Sequence, residues 1–211
     1  MTRLPQPLRA IAFDWGGVFT EGTFDSRAHA RLAELHGLSA ADVLPRYLEL
    51  MEGFEVGEFD MPEFHRRFQA AVGRTSTLPA FREAFLGAVR ERKAMYDLLS
   101  ALPEDVPLAM LSNNAPELCD VVRDDPRMRK LRAFVFSNEI GVRKPDERAF
   151  AALSSALALS PATTVFIDDN SDNIAACERL GFVGLLLDTV PAFAARWRSL
   201  FPDLPLPPGF G

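Results

Sequence analysis

Thr164-Val165-Phe166-Ile167-Asp168-Asp169-Asn170 is the stretch that decides the fold. Four β-branched or aromatic residues run straight into two carboxylates and an amide. A continuously apolar run of this length predicts a strand covered on both faces. Two adjacent carboxylates at the end of such a strand repel one another. They are costly there unless a cation or basic groups lie between them.

Four other runs share the pattern: residues 10–14 (AIAFD), 108–112 (LAMLS), 134–137 (FVFS) and 183–187 (VGLLL). Helical spacing separates them. Met95, Leu98, Leu99 and Leu102 precede the second run, Ala149, Phe150, Leu153 and Leu157 the fourth, and Ile174 to Leu180 the fifth. Strands alternating with helices predict an α/β protein with a doubly wound parallel sheet.

Residues 20–92 break the alternation, with helical patterns and no convincing strand. Val43, Leu44, Tyr47, Leu48 and Met51 share one helix face. Met61, Phe64, Phe68 and Val72 share a second, and Phe81, Phe85 and Val89 a third. Asp60 with Glu63 has the spacing of a capping box. A helical module of about 70 residues is therefore expected as an insertion after the first strand. The domains are residues 1–19 with 93–211, and residues 20–92. The proline-rich residues 201–209 are expected to form an extended surface tail.

Composition narrows the class. Of 211 residues, 48% are hydrophobic and 25% charged, and the net charge is −6. That is a globular composition. It has no basic stripe for nucleic acid and no cationic run for a membrane surface. Cys119 and Cys177 are too few and too far apart for a disulfide framework or a zinc site, and read as small buried residues. Met1-Thr2-Arg3-Leu4-Pro5 lacks a signal-peptide apolar region, and no run is long enough to span a bilayer. The expected location is the cytoplasm. His29, His36 and His65 have no metal-ligand spacing.

In open α/β sheets, ligands bind beyond the C-terminal strand ends. There the chain places Asp14, then Ser112-Asn113-Asn114, then Lys144 within Gly141-Val142-Arg143-Lys144-Pro145-Asp146, then Asp168-Asp169-Asn170. Each group alone is compatible with a turn or helix cap. Together they have a chemical logic. A carboxylate attacks phosphorus. Mg²⁺ takes such oxygen ligands and neutralises substrate charge. A lysine, a hydroxyl and a helix N-terminus bind the phosphoryl oxygens.

The motifs Asp14-x-Gly16-Gly17-Val18, Leu111-Ser112-Asn113, Gly141-x-Arg143-Lys144-Pro145-Asp146 and Phe166-Ile167-Asp168-Asp169-Asn170-x-x-Asn173 resemble those of the haloacid dehalogenase superfamily. The resemblance implies a Rossmann-like core, with the insertion as a helical cap. It is strongest to the branch with sugar-phosphate phosphatases and the phosphatase domain of epoxide hydrolases. It implies Asp14 as a nucleophile that forms an aspartyl-phosphate, with Ser112 and Lys144 on the phosphoryl group. It implies Mg²⁺ held by Asp14, Asp168, Asp169 and the Gly16 carbonyl. Asn113, Gly17 and Glu58 are candidate contacts to the substrate, a small phosphorylated metabolite.

One position departs from that pattern. Most phosphatases of the superfamily carry a second aspartate, the acid and base for the leaving group, where this chain has Gly16. Three readings stay open: substrates with good leaving groups, an acid from elsewhere such as Glu21, Asp25 or Glu58, or a catalytically weak phosphate-binding module. A dehalogenase-type reaction is a further alternative, disfavoured by Gly16 and by the doubled carboxylate. A phospho-receiver is disfavoured because its acidic pair comes first in the chain. The loop Glu52-Gly53-Phe54-Glu55-Val56-Gly57-Glu58-Phe59 is expected to face the site. Phe24, His29, Phe54 and His65 are candidate pocket residues, with a core role the commoner one for aromatics.

Overall fold

The computed structural model describes residues 4–210. Residues 1–3 of the amino-terminal stretch, and residue 211, lie outside that range. The chain begins with strand β1 (Ala10–Phe13) and then leaves the sheet for a run of helices. These are α1 (Phe24–Leu35), α2 (Ala40–Glu55), α3 (Met61–Val72) and α4 (Leu78–Leu86), followed by α5 (Lys93–Ala101), which leads back. The sheet resumes with β2 (Leu108–Ser112), α6 (Pro116–Arg123), β3 (Leu131–Phe136), α7 (Ser137–Ile140) and α8 (Glu147–Leu157). It ends with β4 (Thr164–Asp168), α9 (Ser171–Arg179), β5 (Val183–Leu186) and α10 (Val190–Leu200).

All pairings are parallel and the strand order is β3-β2-β1-β4-β5. The chain builds outward from β1 through β2 to β3, then crosses back to β4 on the other side. That reversal opens a crevice at the carboxyl ends of β1, β2 and β4. The three strands are buried along their whole length, which explains their unbroken apolar sequence.

The inserted helices pack through aromatic rings. Phe54, Phe64, Phe68, Phe81 and Phe85 are all fully buried, and the rings of Phe54 and Phe64 stack 4.5 Å apart. Stacks of this kind add to the gain from burial alone. The two crossings between insertion and sheet lie side by side. Thr20 bridges Glu91, Glu21 N–H donates to Arg90 O, and Arg92 N–H donates to Phe19 O.

Several local expectations change. Ser137 does not end β3 but starts α7, and β3 begins earlier, at Leu131. Val89 lies beyond α4. Leu48, placed on a buried helix face by spacing, is exposed. Asp60 caps α3 by accepting from Glu63 N–H, but the Glu63 carboxylate is taken by Arg66 and Arg67 instead of completing the box. The carboxy-terminal tail is not merely a surface segment. Phe201, Leu204 and Phe210 are buried, Trp197 Nε1 donates to Leu204 O, and Phe210 packs on Phe193. Nor is the tail extended throughout: it turns after Phe201, where Leu204 N–H donates to Phe201 O, and the apolar residues between the prolines gain from burial. Cys119 and Cys177 are free and buried, and burial pushes both thiols up to about 12. Among the described residues no helix is long and apolar enough to cross a membrane.

Candidate active site

Asp14 follows β1 directly, and its N–H still donates to Ile167 O as if the strand continued. This keeps the side chain at the strand tip. Its Oδ1 accepts from Trp15 N–H at 2.7 Å and lies 2.9 Å from Lys144 Nζ. Lys144 reaches in from the loop between α7 and α8. Asn113, just past β2, holds that loop by both ends of its amide. Its Oδ1 accepts from Lys144 N–H at 2.8 Å, and its Nδ2 donates to Lys144 O at 3.1 Å.

Lys144 Nζ also donates to Asp168 Oδ2 at 2.6 Å. The same oxygen accepts from Asn173 Nδ2 at 3.0 Å, and Oδ1 accepts from Asn170 N–H at 2.8 Å. Asn170 also caps α9 by accepting from Asp172 N–H. The turn after β4 therefore both starts a helix and fixes the carboxylate. Asp169 sits over Gly17, whose φ is +71°. A Cβ on Gly17 would fall 1.9 Å from Asp169 Oδ2, so the missing side chain makes room for that carboxylate.

One oxygen from each of Asp14, Asp168 and Asp169 lies within 4.8 Å of the others, so the three can hold a metal ion. Lys144 is the buried cation paired with Asp14 and Asp168, Arg92 acts more weakly on Asp169, and negative charge stays in excess. Burial pushes the Asp14 carboxyl up to about 7, opposed by Lys144 and aided by Asp168. Burial and Asp168 push Asp169 up to about 6. Burial disfavours the Lys144 ammonium, but Asp14 and Asp168 outweigh it and raise its pKa. An all-oxygen donor set short of positive charge suits a hard divalent cation.

Above this group lies a cavity of about 130 Å³. Its floor includes Asp14, Gly16, Asn113, Lys144 and Asp169, and its roof comes from Phe24, Asp25, Met51 and Glu55 of the insertion. Arg143 and Asn114 complete the wall. The structure thus gathers Asp14, Gly16, Asn113, Lys144, Asp168 and Asp169 at one place. Ser112 ends β2 and is buried. Its hydroxyl lowers the pKa of Asp14 and lies 3.4 Å from Asn114 Oδ1, but it is not among the residues lining the cavity.

Other expected contacts fall elsewhere. Gly17 N–H is spent on Thr20 Oγ1. Glu58 is exposed and lies against Gly53, because the turn after α2 directs it away from the cavity. Glu21 is exposed and paired with Arg90. Of the four suggested pocket residues, only Phe24 lines the wall. Phe54 and His65 belong to the aromatic packing, and His29 bonds back to Asp25 O.

Glu55, Arg143 and Asn114 stood within stretches expected near the site but were not themselves candidate site residues. A signal existed for the first. Val43, Tyr47 and Met51 recur every fourth residue, and Glu55 is the next step on that buried face. A carboxylate continuing an apolar stripe marks a group buried for a reason.

A parallel sheet with carboxylates and a lysine at its strand ends, roofed by an inserted helical unit, defines a class of α/β hydrolases. The chain belongs to the haloacid dehalogenase-like hydrolases, whose family model matches residues 8–181. It is 27% identical over 205 residues to the D-ribitol-5-phosphate phosphatase of Bacteroides thetaiotaomicron, covering 91% of this chain and 96% of that protein. It also resembles the structure of a predicted HAD-like family hydrolase from Porphyromonas gingivalis, with a TM-score of 0.73 and 27% identity. That match covers 85% of this chain and 90% of the other. A HAD family enzyme from Bacteroides thetaiotaomicron, in complex with magnesium and inorganic phosphate, shares the fold. Its TM-score is 0.70 at 18% identity, over 85% of this chain and 93% of that one.

Proposed function

We propose that the protein is a Mg²⁺-dependent phosphatase of a small phosphorylated metabolite, acting through an aspartyl-phosphate on Asp14. The observation that carries this reading is the set Asp14, Lys144, Asp168 and the partly buried Asp169, with three carboxylates converging and one lysine between two of them. The phosphatase activity of the ribitol-phosphate relative supports it, as does the magnesium and phosphate complex of the structural relative.

Asp14, Asp168, Asp169 and the Gly16 carbonyl would hold the metal. When bound, it supplies positive charge that offsets the phosphoryl group and keeps the Asp14 carboxylate ionised. The chain's own groups do the rest. Asp14 Oδ attacks phosphorus and the bond to the leaving oxygen breaks. Lys144, held by the Asn113 amide, is close enough to Asp14 to bind the phosphoryl oxygens as they pass. The Ser112 hydroxyl is set at the same strand ends. Residues 20–92 act as a cap that excludes water and selects the organic part of the substrate.

A panel of phosphorylated metabolites tests this reading. Phosphate release should require Mg²⁺, stop with a chelator, and vanish in Asp14→Asn. Release that persists in Asp14→Asn would contradict it.

A further inference from the structure

At Gly16 the core offers no acid. A Cβ built there meets no atom within 4 Å, so the position opens into the cavity with nothing to protonate a leaving group. The roof holds the carboxyl groups that line the same cavity from the other side. Asp25 is one, but its Oδ1 already accepts the Tyr47 hydroxyl at 2.6 Å. Glu55 is the other. It is 7% exposed, and its buried Oε2 has no hydrogen-bond partner among the described residues. Arg143 Nη2 lies 3.1 Å from that oxygen, close enough for charge attraction but off hydrogen-bond alignment.

The backbone around Glu55 is tied to the strand ends. Its carbonyl accepts from the Ser137 hydroxyl, whose oxygen accepts from Asn114 N–H at 3.0 Å. Two residues on, Gly57 has φ +77°, and a Cβ there would fall 2.5 Å from Asn138 O. Glu55 therefore stands at the one place where the end of α2 is pressed onto α7. Its position depends on the core as much as on the helix that carries it.

Resting on the phosphatase reading, we propose that Glu55 is the general acid and base of the reaction, supplying from the roof the group that Gly16 lacks. As Asp14 Oδ bonds to phosphorus, the bond from phosphorus to the leaving oxygen breaks and that oxygen takes the Glu55 proton. The alcohol leaves. Glu55, now a carboxylate, takes a proton from a water whose oxygen attacks the aspartyl-phosphate. The bond from phosphorus to Asp14 breaks, phosphate departs, and Asp14 is a carboxylate again with Glu55 reprotonated. Burial pushes Glu55 up to about 7. Arg143 opposes that shift, Asp25 and Asp14 add to it, and Lys144 opposes it weakly. A carboxyl poised near neutrality gives and takes a proton with equal ease.

The test is leaving-group dependence in Glu55→Gln, a substitution of nearly equal shape. For an alkyl phosphate the variant should lose roughly 100-fold or more in kcat. For p-nitrophenyl phosphate, whose leaving group needs no proton, the first turnover should stay fast. It should then give a burst of about one nitrophenol per enzyme before a slow steady rate, because the aspartyl-phosphate waits for a base. A merely structural role would slow both substrates alike with no burst, and that result overturns the proposal. So does an unchanged rate on the alkyl phosphate. Absence of Mg²⁺-dependent turnover in the unsubstituted protein would be a different failure, that of the phosphatase reading itself.

Discussion

The floor and the roof of the cavity are held by different forces. The floor is ionic. Asp14 and Asp168 are buried at strand tips with Lys144 between them; Asn113 accepts from Lys144 N–H, and Asn170 and Asn173 donate to Asp168. The roof is apolar. It is a set of helices joined by stacked phenylalanines, with two carboxyl groups, Asp25 and Glu55, on its inner surface. An ionic floor fixes atoms to within tenths of an ångström and tolerates little change. An apolar roof tolerates repacking as long as volume is kept. On the proposed reading, the difference suits a floor that carries the phosphoryl group and a roof that shapes the cavity and supplies Glu55.

Removing charge from the floor should have the largest effect. Lys144→Met leaves Asp14 and Asp168 buried without their partner. Breaking a buried pair in this way costs about 3–5 kcal/mol. Thermal melts should show a large loss of stability that added Mg²⁺ partly restores. Melts unaffected by either change would mean that the lysine does not balance the floor.

A middle-sized effect is expected from the roof. In the folded chain Glu55 holds its proton up to about pH 7, whereas unfolded it releases it near 4.5. Between those values the folded state binds more protons, so stability falls as pH rises. The penalty grows as pH rises through 4.5 and levels off once the folded-state carboxyl has titrated past pH 7, at about 3 kcal/mol. Relative to the wild-type chain, Glu55→Gln should therefore gain stability as pH increases from 4.5 to 7.5. A constant difference across that range would place the Glu55 carboxyl in water instead.

A smaller effect should come from Gly17→Ala. The new methyl group would displace the Asp169 carboxylate, and the alanine would be held at an unfavourable positive φ. Mg²⁺ affinity, measured by calorimetry, should fall roughly 10-fold while Asp14 and Lys144 keep their pairing.

The floor was far more legible than the roof. β1, β2 and β4 are short and buried throughout, so the polar residues at and just after their ends mark the neighbourhood of the cavity. Asp14 and Asp168 follow from that rule, and Asp169 from the cost of two adjacent carboxylates at a strand end. The roof follows no such rule, because a helix presents its residues by turn rather than by end. Asp25 was among the candidates, but Glu58 looked equally placed and the turn at Gly57 sends it outward. Glu55 lay in the stretch expected to face the site, but it ends α2 on the buried stripe of Val43, Tyr47 and Met51, and spacing alone did not set it apart from Glu58. Arg143 sat within a recognised motif next to Lys144, yet its partner lies some 90 positions away in sequence, a pairing only the folded chain reveals.

The central claim is that Asp14 carries the phosphoryl group. Rapid acid quenching during turnover, followed by peptide mass spectrometry, tests it most directly. The account predicts a phosphorylated peptide whose modification maps to Asp14, formed only with Mg²⁺ and absent from Asp14→Asn. Turnover with the phosphoryl group on another residue, or with none trapped in Glu55→Gln during its burst, would contradict it.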